Sequence, residues 1–178
     1  MPQVIAVMGV DPGLAATGYG VLEGQGSTPR VRSYGCIRTK PTEDLGTRLS
    51  RIHAELSRQM ELSCAGCVVV EDVFSVPQNP QAGISLGQVV GVVHLAAHQL
   101  GIRVVSISSR EVKMALTSSG AAGKGQVERA VRHWLNLDSP VRPVHSADAL
   151  SIALAGFFRL RDLSATAQAG RESRPALG

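Results

Sequence analysis

Apolar and polar positions in this chain follow two periods. The run Val4-Ile5-Ala6-Val7-Met8-Gly9-Val10 is unbroken and apolar, and Asp11-Pro12-Gly13 stops it. Such a run closed by a Pro-Gly turn signal predicts a buried strand over Met1–Val10. Thr17–Leu22 predicts the second strand of a hairpin, Gly24–Pro29 its turn, and the alternating Arg30–Arg38 a third, more exposed strand. The period then changes. Leu45, Leu49, Ile52, Leu56 and Met60 form one stripe at helical spacing, so Glu43–Leu62 predicts a helix. Cys67–Val70 predicts a short buried strand, Pro80–Leu100 a long helix apolar on most sides, and Arg103–Ile107 a fifth strand. Helices follow over Ser108–Thr117 and Gln126–Leu137. After Pro140 and Pro143 a last helix covers His145–Leu160. Three strands, a helix, then strand, helix, strand and more helices predict an α/β domain with a five-stranded mixed sheet flanked by helices. The domain is expected over residues 1–163. The small, polar residues 164–178 are expected to be a disordered tail.

Composition narrows the class. With 178 residues and 44% hydrophobic residues, the chain fits one globular domain. The formal net charge of +4 is unevenly placed. Between Gly101 and His145 lie the basic residues Arg103, Arg110, Lys113, Lys124, Arg129, Arg132 and Arg142, against Glu111, Glu128 and Asp138; the remainder is neutral on balance. A concentrated positive segment suits a phosphate-bearing partner. Three cysteines imply no disulfide framework and fit a reducing compartment such as the cytoplasm. The apolar N-terminus has no basic lead-in and no small-residue cleavage site, so it does not read as a signal peptide. Gly83–Gly101 approaches membrane length but contains Gln88, His94, His98 and Gln99, so a helix outside the membrane is expected.

The candidate chemistry sits where predicted strands end. Asp11 closes the first strand. A carboxylate there is costly to bury without a positive partner, and the carboxyl ends of strands are where open α/β sheets place ligands. Asp-Pro is also a common turn pair, so a turn or capping role stays open. Val68-Val69-Val70-Glu71 repeats the pattern. If the two strands run parallel, both acids leave the sheet at one edge. His145 and Asp148, three apart at the start of the last helix, share one helical face. Three carboxylates and an imidazole form a metal-site inventory. Capping by Asp148, a solvent-facing His145 and an arginine partner for Glu71 are the plainer alternatives.

Several blocks also resemble one family, the RuvC Holliday junction resolvases of bacteria. They are Gly9-Val10-Asp11-Pro12-Gly13, Thr17-Gly18-Tyr19-Gly20-Val21, Gly35-Cys36-Ile37-Arg38-Thr39, Val70-Glu71-Asp72-Val73-Phe74, Leu86-Gly87-Gln88-Val89-Val90-Gly91, Arg110-Glu111-Val112-Lys113, Lys124-Gly125-Gln126-Val127 and Ala147-Asp148-Ala149-Leu150-Ser151-Ile152-Ala153. They occur in family order from residue 5 to about 160. The resemblance implies a ribonuclease H-like fold and a homodimeric, metal-dependent endonuclease. It would resolve four-way junction DNA by symmetric nicks in two opposed strands, beside a branch-migration motor complex. Its ligands would be Asp11, Glu71, His145 and Asp148. Many members carry aspartate where this chain has His145. Lys113 and Lys124 match family lysines acting on DNA near the site. Arg110 shares the block of Lys113 as a DNA-binding candidate, and Phe74 matches a phenylalanine that stacks on a junction base. A solvated surface charge is the plainer reading of either lysine, and a core contact that of Phe74.

Phosphodiester hydrolysis by such a site uses two divalent cations roughly 3.5–4 Å apart. Asp11, on the predicted central strand, is the candidate bridge, with Glu71 on one ion and His145 and Asp148 on the other. Mg²⁺ or Mn²⁺ is expected, with Mn²⁺ favoured because imidazole is a softer ligand than carboxylate. Lys124 in Gly120-Ala121-Ala122-Gly123-Lys124 reads as a flexible-loop cation and not as a P-loop, since Ser118 and Gly125 break that pattern. Cys64-Ala65-Gly66-Cys67 and the His94/His98 pair lack the partners of a redox or zinc site. Gly83, Gly87 and Gly91 line one face of the long helix, for close packing on the protein's own sheet, on a second copy, or both. Two other functions remain open: an actin- or sugar-kinase-type ATP-binding domain, which also opens with a strand ending in Asp-x-Gly, and a junction-binding scaffold without cleavage.

Overall fold

Burial alternates along the two innermost strands, and this alternation sets the architecture. The structure is a computed structural model and describes residues 5–25, 28–72 and 80–172. Strand β1 (Ile5–Asp11) lies between β2 (Ala16–Gln25) and β4 (Cys67–Glu71). The sheet order is β3-β2-β1-β4-β5, with β3 at Thr28–Arg38 and β5 at Arg103–Ile107. β1 pairs antiparallel with β2 and parallel with β4, and β4 pairs parallel with β5. This is the expected five-stranded mixed sheet. Side chains of a strand alternate between faces. Val7 and Val69 join the core under α5 (Val144–Glu172), α3 (Ser109–Thr117) and α4 (Lys124–Leu135). Met8, Val10, Val68 and Val70 join the core under α1 (Leu45–Ser63) and α2 (Pro80–Gln99). Val7, Met8, Val10, Val68, Val69 and Val70 are all fully buried. At about 1.5–3 kcal/mol for each large apolar side chain, these valines and their partners hold the two layers on the sheet.

The boundaries differ from expectation in instructive ways. The hairpin strands run closer to their turn, through Gly24↔Pro29 and Gln25↔Thr28, with a register shift at Val21/Leu22. Pro29 is tolerated there because β3 is an edge strand. α1 begins after Asp44, whose side chain accepts from the Thr47 amide at 3.0 Å as an N-cap. α4 begins at Lys124 rather than Gln126. The Gln126 side chain reaches back to the Gly123 amide at 2.8 Å and fixes the first turn, so Lys124 opens a helix instead of sitting in a flexible loop. α5 runs to Glu172, past the expected end at Leu160 and through Ser164–Glu172, which was expected to belong to a disordered tail. Alanine, glutamine and arginine there are strong helix formers and carry the helix on.

Candidate active site

Face parity brings the two strand-end acids together. Asp11 has the parity of Val7, and Glu71 that of Cys67 and Val69, so both acids rise on the face covered by α5. Each is the last residue of its strand. α5 comes down on the same edge and supplies His145 and Asp148. Its approach needs glycines. A Cβ at Gly18, the cross-strand partner of Asp11, would overlap the carbonyl oxygen of His145, and one at Gly9 would overlap the backbone of Ala149 and Ala153. With α5 seated this closely, His145 Nδ1 lies 2.8 Å from Asp11 Oδ2.

A cavity of about 430 Å³ opens over these groups. Asp11, Glu71, His145, Asp148, Lys113 and Lys124 all line it, so the structure gathers the four expected ligands and both lysines. The side chain of Asp11 is only 16% exposed and that of His145 is 45% exposed, so the carboxylate is at the floor and the imidazole at the mouth. Arg110 is not among the lining residues; its side chain packs beside Gly120. Phe74 lies outside the described residues. Sequence reasoning missed Ser109, which lines the cavity and whose hydroxyl donates to Glu71. Its place at the start of a helix carried only a helix-start signal. Arg132 and Arg142, counted only as part of the basic segment, line the cavity too.

The site is electrostatically unbalanced. Burial pushes the Asp11 carboxyl above its ordinary range, His145 pulls it down by hydrogen bonding, and the charge of Asp148 pushes it up again. Glu71 is raised by burial first and then by the charge of Asp11; the Ser109 hydroxyl and the Lys113 charge act the other way. Three carboxylates that raise one another in this way lack a counter-charge. A divalent cation supplies one, and the hard oxygen donors suit it. Among the described residues no three ligating side chains stand close enough to enclose an ion. That openness fits Mg²⁺-type binding, in which water and substrate phosphate complete the coordination. No second metal or redox centre emerges. Cys36, Cys64 and Cys67 are free, and His94 and His98 are both exposed on α2.

Comparison with known proteins identifies this geometry. The model of the family described as crossover junction endodeoxyribonuclease RuvC matches residues 7–156. A protein of that description from Alkalilimnicola ehrlichii is 41% identical over 155 residues, covering 86% of this chain and 90% of its own. The chain belongs to the RuvC family. The RuvC of Streptomyces avermitilis is 39% identical over 154 residues, covering 86% of this chain and 87% of its own. The Thermus thermophilus RuvC solved in complex with a Holliday junction substrate matches with a TM-score of 0.84 and 35% identity, over 88% of this chain and 95% of that one. The fold is thus the ribonuclease H-like fold of the resolvases. As a RuvC family member the chain is an endodeoxyribonuclease that resolves Holliday junctions. The ATP-binding and scaffold readings give way to this one.

Proposed function

We propose that Asp11, Glu71, His145 and Asp148 hold two divalent cations and that this cavity is where the junction strands are cut. The observation that carries the reading is the pairing of two strand-end carboxylates on the α5 face, with His145 2.8 Å from one of them. Asp11, between the other ligands, is the bridging candidate, with Glu71 on one side and His145 and Asp148 on the other. A neutral His145 that donates from Nδ1 to Asp11 keeps the Nε2 lone pair for a cation. Bound there, the cations would activate the attacking water and neutralise the leaving oxygen. Without them, three carboxylates would repel a phosphodiester. Lys113 and Lys124, on two helices facing the same cavity, hold the scissile phosphate by charge. The softer imidazole favours Mn²⁺ over Mg²⁺. Phe74 is assigned by resemblance to stacking on a junction base.

Symmetric cutting of opposed strands needs two sites, hence a homodimer. α2 offers the surface. It packs inward through Val89, Val93, Ala96 and Ala97, while a Cβ at Gly87 or Gly91 would meet nothing within 4 Å. Those glycines therefore do not pack on the protein's own sheet. Ile84 and Leu95, 62% and 51% exposed, extend the same open face. A branch-migration motor as partner rests on the resemblance alone. Three free cysteines suit a reducing cytoplasm, and among the described residues no helix is long and apolar enough to cross a membrane. The test is a set of charge-removing variants, Asp11→Asn, Glu71→Gln and Asp148→Asn. Each should bind a four-way junction like the wild type and fail to cut it; unchanged cleavage in any of them removes that residue from the ligand set.

A further inference from the structure

We infer that Ser109 is a positioning residue that aims the Glu71 carboxylate into the cavity, a role that rests on the ligand set proposed above. Glu71 is the outermost residue of its strand and has a long, rotatable side chain. Two groups compete for it: the Ser109 hydroxyl, which donates to it, and the Lys113 ammonium, which attracts it. Both stand on α3 one turn apart, on the same helical face, and both line the cavity. A swing toward Lys113 would make an ion pair and withdraw the carboxylate from a cation.

The local fold leaves Ser109 free for this task. Glu71 pairs with Ile107 at the end of β5, so the chain that follows, Ser108-Ser109, passes directly beside the carboxylate. Ser108 is already committed as the N-cap. Its hydroxyl and amide are bonded to the Glu111 carboxylate at 2.7 and 2.9 Å, and the Glu111 amide donates back to it at 3.2 Å. That reciprocal cap fixes the first turn of α3, and with it the place of the Ser109 hydroxyl. A short side chain on a fixed turn is a better guide than a long lysine, because it loses little rotamer freedom when it bonds. Partners of this kind that orient a ligand typically change metal affinity 10–100-fold when removed.

The experiment measures Mn²⁺ binding to the DNA-free protein by electron paramagnetic resonance, with junction binding measured separately without metal. Ser109→Ala should weaken Mn²⁺ binding about tenfold, leave junction binding unchanged and be restored by Ser109→Thr. In a Glu71→Gln background, adding Ser109→Ala should change nothing further. Wild-type Mn²⁺ affinity in Ser109→Ala overturns the inference, as does an equal loss in both backgrounds. Glu71→Gln with undiminished Mn²⁺ binding overturns instead the ligand set on which the inference rests.

Discussion

Asp11 and Glu71 are carboxylates that burial and mutual charge hold toward the protonated form. The sign of the consequence follows from linkage. A group whose folded pKa lies above its unfolded value, here about 4, stabilises the fold at low pH and loses that contribution as pH rises through the folded value. The metal-free protein should therefore lose thermal stability as pH rises above about 4, and Asp11→Asn should flatten that fall and raise the neutral-pH Tm. Thermal melts in chelator across pH check this; a lower Tm for Asp11→Asn at neutral pH would contradict it. At the same scale, His145→Asp replaces the softest donor of the set. The variant should use Mg²⁺ relative to Mn²⁺ better than the wild type, measured as the ratio of cleavage rates in the two metals; an unchanged ratio counts against His145 as a ligand. These residues were legible because each is a chemically odd residue at the end of an apolar run or the start of a helix. Ser109 was not, since a serine opening a helix looks like any cap until the register of Glu71 against Ile107 places it.

At the scale of elements, the seating of α5 on the sheet decides whether the site assembles. Gly18 stands beside Asp11 and beneath the His145 backbone. Gly18→Ala must lift the first turn of α5 and draw the imidazole and Asp148 away from Asp11. A displacement on the order of 1 Å can cost about 100-fold in rate, so cleavage should drop by roughly that factor while junction binding persists. Single-turnover kinetics beside a binding assay would show it, and full activity in Gly18→Ala would mean that α5 is not seated as described. The order and type of every element could be read from periodicity, because the valine-rich strands and the leucine stripe of α1 are strong signals. Helix starts and ends were harder. Asp44 and the Gln126 side chain set two starts by single hydrogen bonds, and α5 outlasts its apolar stretch on helix propensity alone. The glycines at 9 and 18 could be seen in the sequence, but the approach of α5 that requires them could not.

At the scale of the molecule, the site and the dimer face lie on opposite layers. α3, α4 and α5 carry the cavity and its basic residues, while α2 on the other layer leaves Ile84, Gly87, Gly91 and Leu95 open. Two copies joined through α2 would present two cavities outward, one for each strand to be cut. Leu95→Arg should then give a monomer by analytical ultracentrifugation and uncouple the nicks; a dimer with paired nicking would place the interface elsewhere. The account's central claim, that this cavity cuts junction strands in pairs, is tested most directly by one cleavage map. A synthetic four-way junction, labelled in turn on each strand, is incubated in Mn²⁺ with the wild type and with Asp11→Asn. The wild type should give symmetric nicks with 5′-phosphate ends on two opposed strands, and Asp11→Asn should give none while still binding. Unpaired nicks from the wild type, or the same map from Asp11→Asn, would contradict it.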